Sequence, residues 1–196
     1  MSKRRLNTGK KKKRKGKVIL TPEEVILARR RRLTDREEVF SFVSRFIMMG
    51  IVLLFLFGFV FGITPMKNDD MKPRISAGDL MLYYRLENKW HTQDVIVLKK
   101  DGRQYTGRIV AKEGDTVEVT QESRLIVNGS VVIENDIYYA TPKYEEYVTY
   151  PLTLEKNQFF VLCDYRNGAK DSRYYGPVNL KEVKGKVITV IRRSGL

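Results

Sequence analysis

Hydrophobic and polar positions divide this chain into three stretches of different character. Residues 1–45 carry charge at short intervals. Residues 46–66, FIMMGIVLLFLFGFVFGITPM, contain no formal charge and are apolar on every helical face instead of along one stripe. As a helix these 21 residues span about 31 Å, against a bilayer core of about 30 Å. That pattern predicts a single transmembrane helix. A secretory signal has a shorter apolar core near the N-terminus, followed by a small-x-small cleavage site. This run begins after Arg45 and ends in Thr64-Pro65-Met66-Lys67-Asn68. Pro65 biases Thr64 away from helix, so the helix is expected to break there.

From residue 67 onward the pattern shortens. Brief runs rich in Val, Ile, Tyr, Leu and Phe recur at 80–84, 95–98, 105–110, 116–120, 125–127, 131–133, 147–149, 159–162 and 187–191. Turn signals separate them: Asp101-Gly102, Glu113-Gly114-Asp115, Asn128-Gly129 and Arg166-Asn167-Gly168. Asn128-Gly129 between apolar runs predicts a hairpin, because both residues tolerate the positive φ of a type I′ turn. The expected fold is mainly β: an antiparallel domain with no helix of its own, large enough for one core. Upstream, Thr21-Pro22-Glu23-Glu24 and Thr34-Asp35-Arg36-Glu37 have the form of capping boxes. They predict a short helix through 29–32 and a second that starts at Thr34 and becomes the anchor. The plan is therefore a tail over 1–36, a transmembrane helix over 37–66 and an outer domain over 67–196.

Charge adds the orientation. Residues 1–45 hold 16 Lys/Arg and 5 Asp/Glu, a net of +11, whereas residues 67–196 hold 21 and 18, a net of +3. The positive-inside rule places the N-terminus in the cytoplasm and the β domain outside the cell membrane. The basic run at 10–17, KKKKRKGK, suits anionic lipid at the inner surface. The folded domain is nearly balanced, which argues against a nucleic-acid partner. One cysteine, Cys163, excludes an internal disulfide and a Cys-rich zinc site. One histidine, His91, leaves a single imidazole for any triad. No metal or cofactor is expected.

Asp70-Met71-Lys72-Pro73-Arg74-Ile75-Ser76-Ala77-Gly78-Asp79 follows the apolar run. It resembles the nucleophile box of type I signal peptidases, Ser-Met-x-Pro-Thr-Leu-x-x-Gly-Asp. Tyr105-Thr106-Gly107-Arg108-Ile109-Val110-Ala111-Lys112-Glu113-Gly114-Asp115 resembles the family's Tyr-Val-Lys-Arg-Val-Ile-Gly-Leu-Pro-Gly-Asp. Residues 161–178, VLCDYRNGAKDSRYYGPV, resemble Val-Leu-Gly-Asp-Asn-Arg-x-x-Ser-x-Asp-Ser-Arg-x-x-Gly-x-Val. The likeness covers roughly residues 40–193 and implies the signal-peptidase fold.

In that family a serine attacks the peptide carbonyl, a lysine takes its proton, and a second serine orients the lysine. Those three positions here are Asp70, Gly107 and Ala169. No catalytic residue of the family is intact. Substitutes are poor: Ser76 lies six residues on, Lys72 and Lys112 stand at non-catalytic family positions, and adjacent Asp69 and Asp70 would diverge on an extended chain. The resemblance implies a cleft between 67–71 and 103–108, framed by Asp70, Met71, Pro73, Gly107, Arg108, Asp171 and Arg173. Losing the lysine is expected to widen it, and an extended peptide is expected to bind there by strand addition. Asp171 and Arg173 are expected to form an internal ion pair. Degenerate homologues encoded beside Gram-positive pilus genes share both losses, which implies a binding or chaperone factor with pilin or pilus sortase as partner. The alternative is an active signal peptidase with unusual chemistry.

Overall fold

A computed structural model describes residues 21–134, 137–144 and 147–192; the basic run at 10–17 lies outside them. Helix α1 covers Pro22–Phe55 and continues through one π-helical turn, Leu56–Val60. Its start is the expected capping box: Thr21 N donates to Glu24 Oε2 at 2.9 Å, and Glu24 N donates to Thr21 Oγ1 at 3.4 Å. The second expected start, at Thr34, is absent because the first helix runs straight through it. Once nucleated, a helix gains a backbone bond with each added residue and needs no second beginning. The helix Pro22–Val60 is long and apolar enough to cross a membrane by length and composition, and none of its apolar window is buried.

The helix ends earlier than Pro65. Phe61–Pro65 forms strand β1 and pairs residue for residue with β2, Leu80–Tyr84. The uncharged run thus divides between helix and sheet. Gly62 allows the close approach: a Cβ there would lie 2.2 Å from the Tyr83 ring.

The remaining strands are β3 (Val95–Lys100), β4 (Arg103–Lys112), β5 (Thr116–Val119), β6 (Leu125–Val127), β7 (Ser130–Val131), β8 (Leu152–Thr153), β9 (Gln158–Leu162), β10 (Val178–Asn179) and β11 (Val183–Ile191). They form a sheet of order β1-β2-β11-β3-β4-β9-β10 and a smaller one of order β7-β6-β5-β8. Every pairing is antiparallel. Asn128 and Gly129 have φ of 52° and 77°, and the hairpin pairs Val127 with Ser130 as its turn requires. The run at 147–149 is not a strand; β8, just past Pro151, takes the place beside β5. A one-turn helix α2, Ser172–Tyr175, also forms where none was expected, because the Asp171 side chain caps it by accepting from Arg173 N.

β4 is buried without a break from Thr106 to Ala111, since it meets apolar residues on both faces. Ile109 packs with Ile96, Leu98, Phe159, Val161 and Val178. Val110 and Ala111 pack with Val117, Val119, Leu125, Phe160 and Leu162. A third cluster, Met66, Met71, Ile75, Met81, Cys163 and Ala169, lies under the loop that follows β1.

Candidate functional site

The loop after β1 is closed by backbone bonds. Met66 N donates to Asp79 O and Gly78 N to Met66 O, each at 2.8 Å. Tyr165 N donates to Asp70 O at 2.8 Å and ties this loop to the one after β9. Asp70 is half-buried, and its Oδ2 accepts from Asn68 Nδ2. Burial raises its carboxyl above the usual range; the Asn68 bond works against this, and the charges of Asp171 and Asp69 add to it. Lys72 pairs with Asp69 at 2.9 Å, and Asp69 Oδ1 accepts from Ala77 N at 3.0 Å. Asp69 and Asp70 therefore take separate partners and do not form a proton-sharing dyad. Ser76 is held in a turn, its N donating to Asp79 Oδ2 at 2.9 Å.

Gly107 sits in the middle of β4 opposite Ile96 of β3. A Cβ at this position would lie 2.6 Å from Val161 Cγ1 and 3.1 Å from the Leu162 carbonyl oxygen. The side chain of Val161 fills the space at the base position, so the lysine's absence leaves no widened groove at that point. Ala169 is buried in the cluster that contains Met71 and Cys163. The space between the loop and β4 is about 30 Å³, bordered by Asn68, Asp70, Gln104, Thr106 and Cys163. Gln104 Nε2 donates to Thr64 Oγ1 at 2.8 Å and bridges β4 to β1.

Cys163 is a cleft residue not anticipated among the candidates. Its signal was present: it stands where the family motif has glycine. Its Sγ is 3.6 Å from the Thr106 carbonyl, within the range of a weak hydrogen bond. Burial, reinforced by the charges of Asp171 and Asp70, pushes its thiol well above the ordinary value. It is a buried, protonated packing group, unsuited to nucleophilic attack.

The other candidates divide into scaffold and surface. Asp171 and Arg173 form the expected pair, both side chains fully buried, with Arg173 Nη2 2.7 Å from Asp171 Oδ2 and Nε 2.9 Å from Oδ1. The pair has further partners. Asp171 Oδ2 accepts from Cys163 N, and Arg173 donates to the carbonyls of Arg166 and Pro142 and lies under the Tyr144 ring. Ser172 Oγ accepts from Val161 N at 2.9 Å. Arg166, fully buried, donates to Cys163 O, Thr141 Oγ1 and both oxygens of Glu134. Met71 is core and Pro73 is exposed. Arg108 forms a bidentate pair with Asp164, at 2.8 and 2.6 Å, and lines a different and larger groove of about 520 Å³. The structure thus brings Asp70, Cys163 and Thr106 to one small cleft, with Asp171 close enough for its charge to act on Asp70. Gly107 and Arg108 are not among the described residues of that cleft. Among the described residues, no group of three or more His, Cys, Asp or Glu is arranged to hold a metal ion.

A family model described as "Signal peptidase, peptidase S26" matches residues 39–191. "Inactive signal peptidase IA" of Staphylococcus aureus is 26% identical over 163 residues, 77% of this chain and 90% of that protein. "Probable signal peptidase I-2" of Synechocystis is 29% identical over 130 residues, 61% of this chain and 57% of that protein. A solved signal peptidase I from Enterococcus faecalis aligns with a TM-score of 0.42 at 29% identity, over 52% of this chain and 98% of its own.

Proposed function

This chain belongs to the signal peptidase family, peptidase S26, and on that footing we propose that it is a homologue without peptidase activity that serves as a binding or chaperone factor. The observation that carries the reading is the chemistry at three positions. Asp70 replaces the nucleophile, Gly107 the base and Ala169 the orienting hydroxyl. Gly107 and Ala169 have no group to accept a proton, and Asp70 bonds to Asn68 instead of to a lysine. The name of the S. aureus relative supports the same reading.

The helix Pro22–Val60 supplies a single-pass membrane anchor, with the N-terminus cytoplasmic and the β domain outside a Gram-positive cell. The process served is surface-protein or pilus assembly, and the partner is a pilin or a pilus sortase. Resemblance to degenerate homologues associated with pilus genes supports this step.

The test is a preprotein bearing an Ala-x-Ala site, incubated with the full chain in detergent. No cleavage is expected from the wild type or from Asp70→Ser, which still lacks a base. Cleavage by the wild type that disappears in Asp70→Ala would establish the rival reading, an active signal peptidase with a carboxylate at its centre. Adding Gly107→Lys to Asp70→Ser is expected to restore little, because Val161 obstructs the lysine's first carbon.

A further inference from the structure

β11 is an inner strand for only part of its length. From Val183 to Lys186 it pairs with β3 on one side, ending opposite Ile96. β3 begins at Val95, so beyond Lys186 the strand keeps β2 alone, through Val187 to Ile191. Alternate residues of an antiparallel strand direct their N–H and C=O groups to opposite sides. Among the described residues, the side of β11 away from β2 is therefore a strand edge without a ladder partner over about 16 Å. The register also shifts between Val187 and Thr189.

That edge borders the groove of about 520 Å³, within the size range of ligand clefts. Four cationic side chains line it, Arg74, Arg108, Lys186 and Arg192, against one carboxylate, Asp94. The balance stays positive even with Asp164 counted behind Arg108 and with Lys186 2.8 Å from Asp94. Between the charges lie Ile75, Val95, Val187 and Val190. Ile188 is 51% exposed. Cations on an open edge deter neutral and basic strands. The same cations complement an acidic one. Of the other edges, β1 ends in a proline, β7, β8 and β10 are two residues long, and the side of β4 that β9 leaves uncovered from Arg103 to Gly107 borders only the small cleft of about 30 Å³.

We propose that the open edge of β11 takes up an extended acidic peptide as an added strand, its carboxylates facing the cationic walls and its alternate apolar side chains the floor. The inference deepens the binding role proposed above and places the binding site outside the old catalytic cleft.

The probe is a fluorescent pentapeptide, Glu-Val-Glu-Val-Glu, titrated by anisotropy against the full chain in zwitterionic nanodiscs. Saturable binding is expected, weakened about tenfold or more when the probe's Glu are replaced by Lys, when its alternate amides are N-methylated, or in the Arg192→Glu protein. Asp70→Ala should bind as wild type does. Unchanged affinity on N-methylation, or full competition by millimolar inorganic phosphate, would reduce the site to a simple anion patch and overturn strand addition. Loss in Asp70→Ala with no effect of Arg192→Glu would return the site to the old cleft, overturning this inference and keeping the binding role. No binding by any acidic probe would overturn it as well. A vesicle of anionic lipid that displaces the probe in Arg192-dependent fashion, while N-methylation has no effect, would assign the groove to a membrane surface.

Discussion

At residue 70 a carboxylate stands in a half-buried niche where its charged form is disfavoured. The nearby buried polar groups hold the scaffold. Asp171 is the clearest case, since one side chain serves the Cys163 amide, the Arg173 amide and the Arg173 guanidinium. Asp171→Ala strands a fully buried cation, and a loss of about 3–5 kcal/mol is expected, read from denaturant midpoints. The remaining Arg173 bonds to the carbonyls of Arg166 and Pro142 place the value toward the lower end. Tyr150 points the other way. Its buried hydroxyl has no hydrogen-bond partner among the described residues, and burial raises its pKa above the ordinary tyrosine value. Tyr150→Phe removes an orphaned polar group, so a stabilisation of about 1 kcal/mol and a higher melting temperature are expected. The buried pair was anticipated from the resemblance to the family motif that carries Asp171 and Arg173. The orphan was not, because a tyrosine's partners come from elsewhere in the chain.

Among the elements, β1 follows the long apolar helix directly and opens the larger sheet. Its place at the sheet edge depends on Gly62, because any larger residue meets the Tyr83 ring. Gly62→Ala is expected to cost about 1–3 kcal/mol through displacement of that ring. The effect should be seen as faster amide exchange along Phe61–Pro65, with the β5–β6 hairpin unchanged as an internal control. The strands legible in sequence were those with dense β-branched and aromatic content and a clear turn beside them, such as Leu80–Tyr84 and Leu125–Val127. β1 was not, because a short run inside an apolar stretch reads equally as helix. β10, two residues long, exists only because β9 lies beside it. The break in β11 pairing had no sequence signal either, since it is set by where β3 begins.

For the molecule as a whole, the tail's charge predicts the orientation. Protease added to wall-stripped cells is expected to digest the β domain and spare an epitope on residues 1–20; protection of the domain would reverse the topology. The sequence by itself determined the uncharged membrane-length run, the mainly β character of the following residues and the residue types Asp70, Gly107 and Ala169 within the family motifs. Each of these depends on residue identity or on local periodicity, which need no distant partner. Tertiary structure alone decided where the helix gives way to β1, that Val161 packs against Gly107, that the space beside Asp70 is about 30 Å³, and that Arg108 lines a separate groove. Those outcomes rest on which strands become neighbours. Segments far apart in the chain decide that by competing to bury their apolar faces and pair their backbones.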